Sequence, residues 1–137
     1  MTTQDLIPLS EADIKRAVTD YLQIAENQGK LFFLRLNSGE IIEARGDTRR
    51  RVKLCPPGTA DFVVFQPATI TVQYKTKKSP FPFGFSRVTF IELKKRDGKQ
   101  SPAQVEFESK VKRFHCHYVL ANSVDEVMSQ LGIAEIE

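Results

Sequence analysis

Residues 87–94 read Arg-Val-Thr-Phe-Ile-Glu-Leu-Lys, an apolar stretch that ends in an acid and a base. Its β-branched and aromatic residues predict a strand over residues 87–93, central in a sheet because of its apolar character. Residues two apart in a strand face the same side, so Glu92 and Lys94 point together while Leu93 turns into the core. This strand therefore organises the predicted sheet and carries a candidate site.

The segments around this strand predict an α/β domain. Apolar residues at helical spacing predict a helix from about Ser10 to Gln28, with Ser10 as N-cap and Gly29 closing the far end. The capping box of Ser101 and Gln104 opens a second helix, and Ser123 begins a third. Further strands are predicted at residues 31–36, 62–65, 69–74 and 117–121. This order indicates one domain over residues 1–137, with a central mixed β-sheet flanked by helices.

Two segments lack a regular pattern. Residues 37–58 are polar, basic and rich in turn formers, which predicts a long loop or an irregular hairpin. The connection over residues 77–85 is rich in proline, and we expect it to be irregular. Its Phe81, Phe83 and Phe85 could stack on bases, although packing onto the domain or a partner is the favoured interpretation.

Composition and charge limit the class of protein. Apolar residues make up 41% and charged residues 27%, as in globular proteins, and no apolar run approaches the ~20 residues of a membrane span. No signal peptide is evident, so a cytoplasmic location without membrane partners is expected. Cys55 and Cys116 are far apart in sequence and are expected to be free thiols. The His115-Cys116-His117 run is too tight for one zinc site and is interpreted as packing.

The basic residues are unevenly distributed along the chain. The net charge of +3 says little, but Arg45, Arg49, Arg50, Arg51 and Lys53 crowd one segment. Further bases follow at Lys75, Lys77, Lys78, Arg87, Lys94, Lys95, Arg96 and Lys99. This distribution indicates a basic face for a polyanion, with a solvated basic loop as the alternative.

A second acid, Asp61, precedes the strand at residues 62–65. If that strand neighbours residues 87–93, the Asp61 and Glu92 carboxylates meet and repel unless a cation lies between them. Mg²⁺ or Mn²⁺ prefers such oxygen ligands, and the carbonyl of Leu93 could add another. With Lys94 stabilising charge or orienting water, these groups suit phosphodiester hydrolysis. Spacing alone, however, favours a surface salt bridge between strand ends.

Three segments together resemble the PD-(D/E)xK nuclease superfamily, and more narrowly the virus-type replication-repair nuclease (VRR-NUC) family. They are PPGTADFVVF (56–65), FIELKKRDGKQSPAQ (90–104) and HYVLANSVDEV (117–127). The family places a glycine before its metal-binding Asp, then an E-x-K strand and a G-x-x-S-x-x-Q segment opening a helix. Here those places are held by Gly58, Asp61, Glu92, Lys94, Gly98, Ser101 and Gln104. Ala60 replaces the proline of the superfamily name, and residues 66–87 look like an inserted loop or hairpin arm.

The resemblance implies a restriction-endonuclease-like fold and a Mg²⁺- or Mn²⁺-dependent DNA endonuclease without a small-molecule cofactor. Branched or junction DNA is a candidate substrate, and small family members can pair as homodimers. The implied catalytic residues are Asp61, Glu92, Lys94 and Gln104. The implied metal ligands are Asp61, Glu92, the Leu93 carbonyl and an acid on the first helix, where Glu11 is preferred to Asp13 because it falls on the buried stripe.

The expected nucleic-acid contacts are mostly basic or polar side chains in loops. They are Asn37, Ser38, Arg49, Arg50, Arg51, Lys53, Lys77, Lys78, Lys95, Lys99 and Ser101. Gln104 has two interpretations, as capping residue and as site residue. The competing functional hypothesis is a non-catalytic nucleic-acid-binding module on the same fold, which would use the acids only structurally.

Overall fold

The predicted central strand is an interior strand in the computed structural model, which describes residues 9–75 and 79–133. The strands are β1 (Phe32–Arg35), β2 (Glu40–Arg45), β3 (Thr48–Lys53), β4 (Phe62–Val72), β5 (Phe81–Leu93) and β6 (His117–Ala121). The helices are α1 (Glu11–Asn27), α2 (Pro102–Arg113) and α3 (Val124–Leu131). A mixed sheet has the order β1-β4-β5-β6, antiparallel except for β5 and β6. The predicted α/β architecture with a mixed sheet is confirmed.

The two faces of this sheet are covered by different helices. Alternate residues of β5 face opposite sides, and Ile91 and Leu93 join the buried cluster that includes Ile14 of α1 and Leu131 of α3. On the other face, Phe90 meets the ring of Phe107 from α2 edge-on at 5.3 Å. Burial of each large apolar side chain contributes roughly 1.5–3 kcal/mol to stability. The sheet therefore lies between α1 and α3 on one side and α2 on the other.

The helix boundaries follow the predicted capping residues. The Ser10 hydroxyl accepts a hydrogen bond from the Asp13 backbone N–H at 3.1 Å, and Gly29 adopts a left-handed conformation past the end of α1. At α2, Ser101 and Gln104 form the complete capping box. Within the part of the chain that the structure describes, no helix combines the length and apolar character needed to cross a membrane.

Residues 37–58 are more regular than an extended loop. Strands β2 and β3 form an antiparallel hairpin, which we call the basic hairpin, from Glu40↔Lys53 to Arg45↔Thr48. Its two-residue turn begins at Gly46, whose φ of 58° suits the tight turns that match strand twist. The hairpin alternative is thus confirmed, and the Gly46-Asp47 pair was its sequence signal.

The prediction of irregular structure was wrong for residues 81–85, which belong to strand β5. Strand β4 continues without a break to Val72, so residues 69–74 do not form a separate strand, and β5 begins at Phe81. The two pair as far as Val72↔Phe81. Pro67 and Pro82 are tolerated because β1 and β6 do not extend this far, so each strand has a free edge among the described residues. Lys77 and Lys78 lie outside the described residues.

Residues 66–72 and 81–87 form a two-stranded extension that we call the outer arm. Ala68, Ile70, Phe83 and Phe85 share the face that α1 and α3 cover further along the sheet. Phe83 is 53% exposed and Phe85 45% exposed, whereas Phe81 stacks on Tyr74. The favoured packing interpretation of the three phenylalanines therefore describes Phe81, while the other two present an apolar surface.

Gly58 allows the start of α2 to pack closely against the segment before β4. Its φ is +89°, a conformation that other residues rarely adopt, and a Cβ placed there would collide with the backbone carbonyl of Ala103 in the first turn of α2. The segment before β4 and the start of α2 therefore touch backbone to backbone. This contact holds the beginning of α2 against the end of β5.

Replacing Gly58 with alanine is expected to lower the free energy of unfolding by roughly 3 kcal/mol or more, because backbone strain and a steric clash add together. Gly29→Ala is the matched control. Gly29 has a φ of +74°, but no atom of the described residues lies within 4 Å of a Cβ there. The control should lose only about 1–2 kcal/mol. Urea denaturation of both variants measures the difference, and equal losses would contradict the close approach.

Candidate active site

Asp61 is fixed where strands β1, β4 and β5 meet. Its backbone N–H donates to the Ile91 carbonyl at 2.9 Å, and its own carbonyl accepts from the Leu36 N–H at 2.8 Å. Its carboxylate oxygen Oδ2 accepts from the Leu93 N–H at 2.7 Å. The Asp61 carboxylate therefore accepts the Leu93 N–H, as the backbone carbonyl of a neighbouring strand would do. The condition for Asp61 to meet Glu92, that their strands are neighbours, is fulfilled.

Glu92 is a buried acid, only 3% exposed, on the face of the sheet that α2 covers. Its Oε1 accepts a hydrogen bond from Gln104 Nε2 at 2.8 Å and lies 3.8 Å from Lys94 Nζ. Its Oε2 is buried and receives no hydrogen bond from any described residue. A buried charged oxygen without a partner is costly, so Oε2 is a position where a cation or a donated proton would be strongly favoured.

The charge state of Glu92 reflects this environment. Burial raises the pKa of the Glu92 carboxyl to about 7, and the Asp61 carboxylate adds to the rise. Lys94 and Lys15 oppose it, and Glu11 contributes a smaller increase. The group therefore titrates near neutral pH in the protein without metal, and a bound cation would favour its charged form.

The Gln104 side chain bonds to both the helix cap and Glu92. Its Oε1 accepts from the Ser101 backbone N–H at 2.8 Å, which completes the capping box, while Nε2 donates to Glu92. The Ser101 hydroxyl in turn accepts from the Gln104 backbone N–H at 3.2 Å, so Ser101 acts here as a helix cap. The start of α2 is thereby tied directly to the buried acid.

Lys15 belongs to this cluster although no sequence motif singled it out. Its Nζ lies 3.1 Å from Asp61 Oδ1 and 3.9 Å from Glu11 Oε1. The available signal was its position one helical turn after Glu11, where side chains share a face. Lys15 therefore links Glu11 to Asp61. Asp13, the other candidate acid, is exposed, and its backbone N–H donates to the hydroxyl of the N-cap Ser10.

Asp61 and Glu92 suit a hard divalent cation by donor chemistry, since both offer carboxylate oxygens and Glu92 Oε2 lacks a partner. As they stand, however, no three acid, histidine or cysteine side chains within residues 9–75 and 79–133 form a metal-binding group. Lys15 occupies the space between Glu11 and Asp61 instead. Leu93 contributes its N–H to Asp61, and its side chain is fully buried.

The His115-Cys116-His117 run has a structural role at the end of α2. His115 has a φ of 64°, and the Cys116 N–H donates to the Val111 carbonyl at 3.1 Å, the pattern of a left-handed helix termination. His115 and His117 are exposed. The described residues therefore place this run at a helix end rather than around a metal.

Four of the expected nucleic-acid contacts lie in two places near the site. Asn37 and Ser38 are exposed at the base of the basic hairpin, where the Cys55 N–H donates to the Asn37 carbonyl at 2.8 Å. Lys95 and Lys99 are exposed in the turn between β5 and α2, directly after Lys94.

The four basic residues of β3 do not act as one cluster. In an antiparallel pair, directly opposed residues share a face. Arg49, Arg51 and Lys53 therefore lie on one face of the basic hairpin, whereas Arg50 lies on the other. There the Arg50 guanidinium is 3.1 Å from the Glu43 carboxylate. The sequence could not separate these residues without the hairpin register.

A polar network beside Glu92 was also missed. Gln100 Nε2 donates to the Tyr118 hydroxyl at 3.2 Å and to Glu108 Oε1 at 3.1 Å. Burial raises the pKa of Tyr118 to about 12, and the charges of Glu92, Glu108 and Asp61 add to the rise. Tyr118 is therefore a neutral hydroxyl at the edge of the site.

Comparison with known proteins gave no match among protein-family models, curated protein sequences or solved structures. The functional interpretation accordingly depends on the motif and on the geometry described above.

Replacing Glu92 with glutamine is expected to remove a pH-dependent loss of stability. Because the Glu92 pKa is raised in the folded protein, the unfolded chain loses this proton first as pH rises, and stability falls between about pH 4.5 and 7. The full effect is about 3 kcal/mol for this buried group. Denaturation of both proteins with a chelator at pH 4.5 and 8 tests this. Parallel stability profiles would contradict the raised pKa.

Proposed function

We propose that this protein is a Mg²⁺- or Mn²⁺-dependent DNA endonuclease with a PD-(D/E)xK core of the VRR-NUC kind. The observation that carries the proposal is the buried, unpartnered Oε2 of Glu92 beside the Asp61 carboxylate, with Lys94 following on the same strand end. A surface salt bridge would not require a carboxylate with 3% exposure. Burial of this kind near a second acid is more typical of functional sites.

The proposed roles follow from the contacts of each residue. Asp61, Glu92 and the Leu93 carbonyl would hold the divalent ion, which when bound would supply Lewis-acid charge to polarise a phosphate oxygen and make water more acidic. The Leu93 N–H takes up Asp61 Oδ2, which fixes the orientation of Oδ1. Gln104 holds Glu92 Oε1 in the same way.

Lys94 has a distinct role in the proposal. Its ammonium group lies 3.8 Å from Glu92 Oε1 and projects from the end of β5. From that position it can orient the attacking water or stabilise the negative charge that grows on the phosphate in the transition state. Glu11, linked to Asp61 through Lys15, is the proposed helix acid.

Branched or junction DNA and a homodimeric state are also part of the proposal, supported by the motif resemblance. The outer arm extends away from Asp61 along β4. Val72, at the far end of β4, is eleven positions after Asp61, which corresponds to roughly 35 Å. Any contact of the arm tip with DNA or a second subunit is therefore remote from the cleavage site of the same chain.

Cleavage of junction, flap and supercoiled DNA in Mg²⁺ or Mn²⁺ tests the activity. Asp61→Asn and Lys94→Ala are each expected to lower the cleavage rate by roughly 10²-fold or more, because the first removes a carboxylate that would hold the divalent ion and the second removes a positive charge that stabilises the transition state. Glu11→Gln should lower it less. Asp13→Asn, an acid removed from the same helix two residues away, is the matched control and should leave the rate unchanged.

Two results would contradict this proposal. The first is the lack of any cleavage that depends on Asp61 and Lys94. The second is salt-dependent DNA binding that is indifferent to divalent metal and to Glu92→Gln, which would establish the non-catalytic binding module instead.

The basic hairpin supplies a proposed DNA contact beside the site. Its base is joined to the Asp61 region, because Leu36 donates to the Asp61 carbonyl and Asn37 then accepts from Cys55. On the face that carries Arg49, Arg51 and Lys53, Arg51 pairs with Glu40 at 3.5 Å, and Arg49 and Lys53 form no ion pair with another described residue. On the opposite face, Arg45 and Arg50 both pair with Glu43. The first face is therefore the better surface for phosphates.

Removing one cation that neutralises a phosphate of duplex DNA should reduce the slope of log affinity against log salt concentration by about 0.9. In an Asp61→Asn background, which prevents cleavage, Arg49→Gln and Lys53→Gln should each weaken binding and reduce this slope. Arg50→Gln removes the same charge from the opposite face and should change the slope little. Fluorescence anisotropy over a salt series measures all three. An equal effect of Arg50→Gln would show that only net charge matters.

A further inference from the structure

The Lys15–Asp61 ion pair connects α1 to the start of β4. The neighbouring residues Ile14 and Val18 are fully or almost fully buried in the core, so α1 is firmly seated against the sheet. Lys15 is therefore held near Asp61 by tertiary packing rather than by local helix spacing alone. Its ammonium group lies 3.1 Å from Asp61 Oδ1.

The two oxygens of Asp61 are both engaged. Oδ2 accepts the Leu93 N–H, a backbone bond that fixes the strand end. Oδ1 is the oxygen left for a metal ion, and Lys15 occupies it. Lys15 Nζ is also 3.9 Å from Glu11 Oε1, so one ammonium group serves both of the acids outside β5.

Repulsion among nearby carboxylates explains why a cation is needed beside Asp61. Glu11, Asp61 and Glu92 are three carboxylates, and both Asp61 and Glu11 raise the Glu92 pKa by repulsion. Lys94 is paired with Glu92 and lowers its pKa, and Lys15 acts in the same direction. A divalent ion at Asp61 would bring a second cation to the place where the Lys15 ammonium already lies, and like charges repel strongly at such distances.

We propose that Lys15 is a built-in counter-ion that competes with the divalent metal for Asp61 and Glu11, and that it thereby sets the metal affinity of the site. This inference depends on the proposed metal-dependent function. Without metal, Lys15 keeps the acids together. When metal binds, the ammonium group leaves Asp61 Oδ1, so each binding event includes the breaking of this ion pair.

Isothermal titration of the full chain with Mn²⁺, without DNA, tests the competition. Lys15→Met keeps an unbranched apolar side chain and removes the charge, and it should bind Mn²⁺ about tenfold more tightly than the wild-type protein. Lys15→Gln should change the affinity in the same direction. Lys15→Arg retains a cation and should restore an affinity close to that of the wild type.

Arg16→Met is the matched control. Arg16 is exposed and forms no ion pair within the described part of the chain. Its removal subtracts one positive charge from the same helix, so it reports the long-range effect of net charge alone. We expect its Mn²⁺ affinity to remain within about twofold of wild type, because exposed charges are screened by salt.

Thermal unfolding gives a second readout that needs no activity. With a chelator, Lys15→Met should melt at a lower temperature than wild type, because the acids lose their counter-ion. Mn²⁺ should then raise its melting temperature by more than it raises that of wild type, since a ligand that binds the folded state more tightly stabilises it more.

Mn²⁺ binding distinguishes a failure of the Lys15 proposal from a failure of the proposed metal-dependent function. If wild type binds Mn²⁺ and Lys15→Met binds it equally or more weakly, the counter-ion role is wrong while the metal site stands. An Arg16→Met affinity increased as much as that of Lys15→Met would also overturn it. If neither wild type nor any Lys15 variant binds Mn²⁺, both the inference and the proposed function fail.

Discussion

The burial of the Glu92 carboxylate is the constraint on which the rest of the site depends. A carboxylate with 3% exposure beside a second acid must be compensated, and the compensation comes from separate elements. Lys94 follows directly after β5, Gln104 reaches Glu92 from α2, and Lys15 balances Asp61 from α1. The close approach at Gly58 brings α2 near enough for Gln104 to serve. The packing of three elements around the strand end is thus linked to one charge.

The sheet topology places the candidate active site at one end of the sheet and the outer arm at the other. β1, β4 and β5 meet at Asp61, and the basic hairpin leaves the domain there. At the other end, β4 and β5 continue beyond their neighbours as the outer arm, with Phe83 and Phe85 exposed. Gln66 and Arg87 secure the base of this arm by donating to carbonyls at the end of α3. The candidate site and the exposed Phe83 and Phe85 therefore lie toward opposite ends of β4 and β5.

The elements that were correctly predicted from sequence are those with strong local signals. α1 has a buried stripe and a cap at Ser10, and α2 has a capping box with proline at its first position. The start of β5 was missed because proline usually argues against strand, and its tolerance depends on a free edge that only the sheet order reveals. Lys15 was missed for a similar reason. Its partner Asp61 is distant in sequence, and ion pairs between elements require knowledge of how they pack.

The base of the basic hairpin is closed by a backbone hydrogen bond. Asn37 and Cys55 are hydrogen-bonded to each other at 2.8 Å, so the chain leaves and re-enters the core at nearly one point. Loop-closure entropy rises by only about 0.6 kcal/mol for each doubling of a flexible loop. The excursion can therefore be lengthened, shortened or exchanged for another with little strain on Asp61. The proposed DNA-contacting hairpin and the proposed catalytic residues can therefore vary independently, both in evolution and in protein engineering.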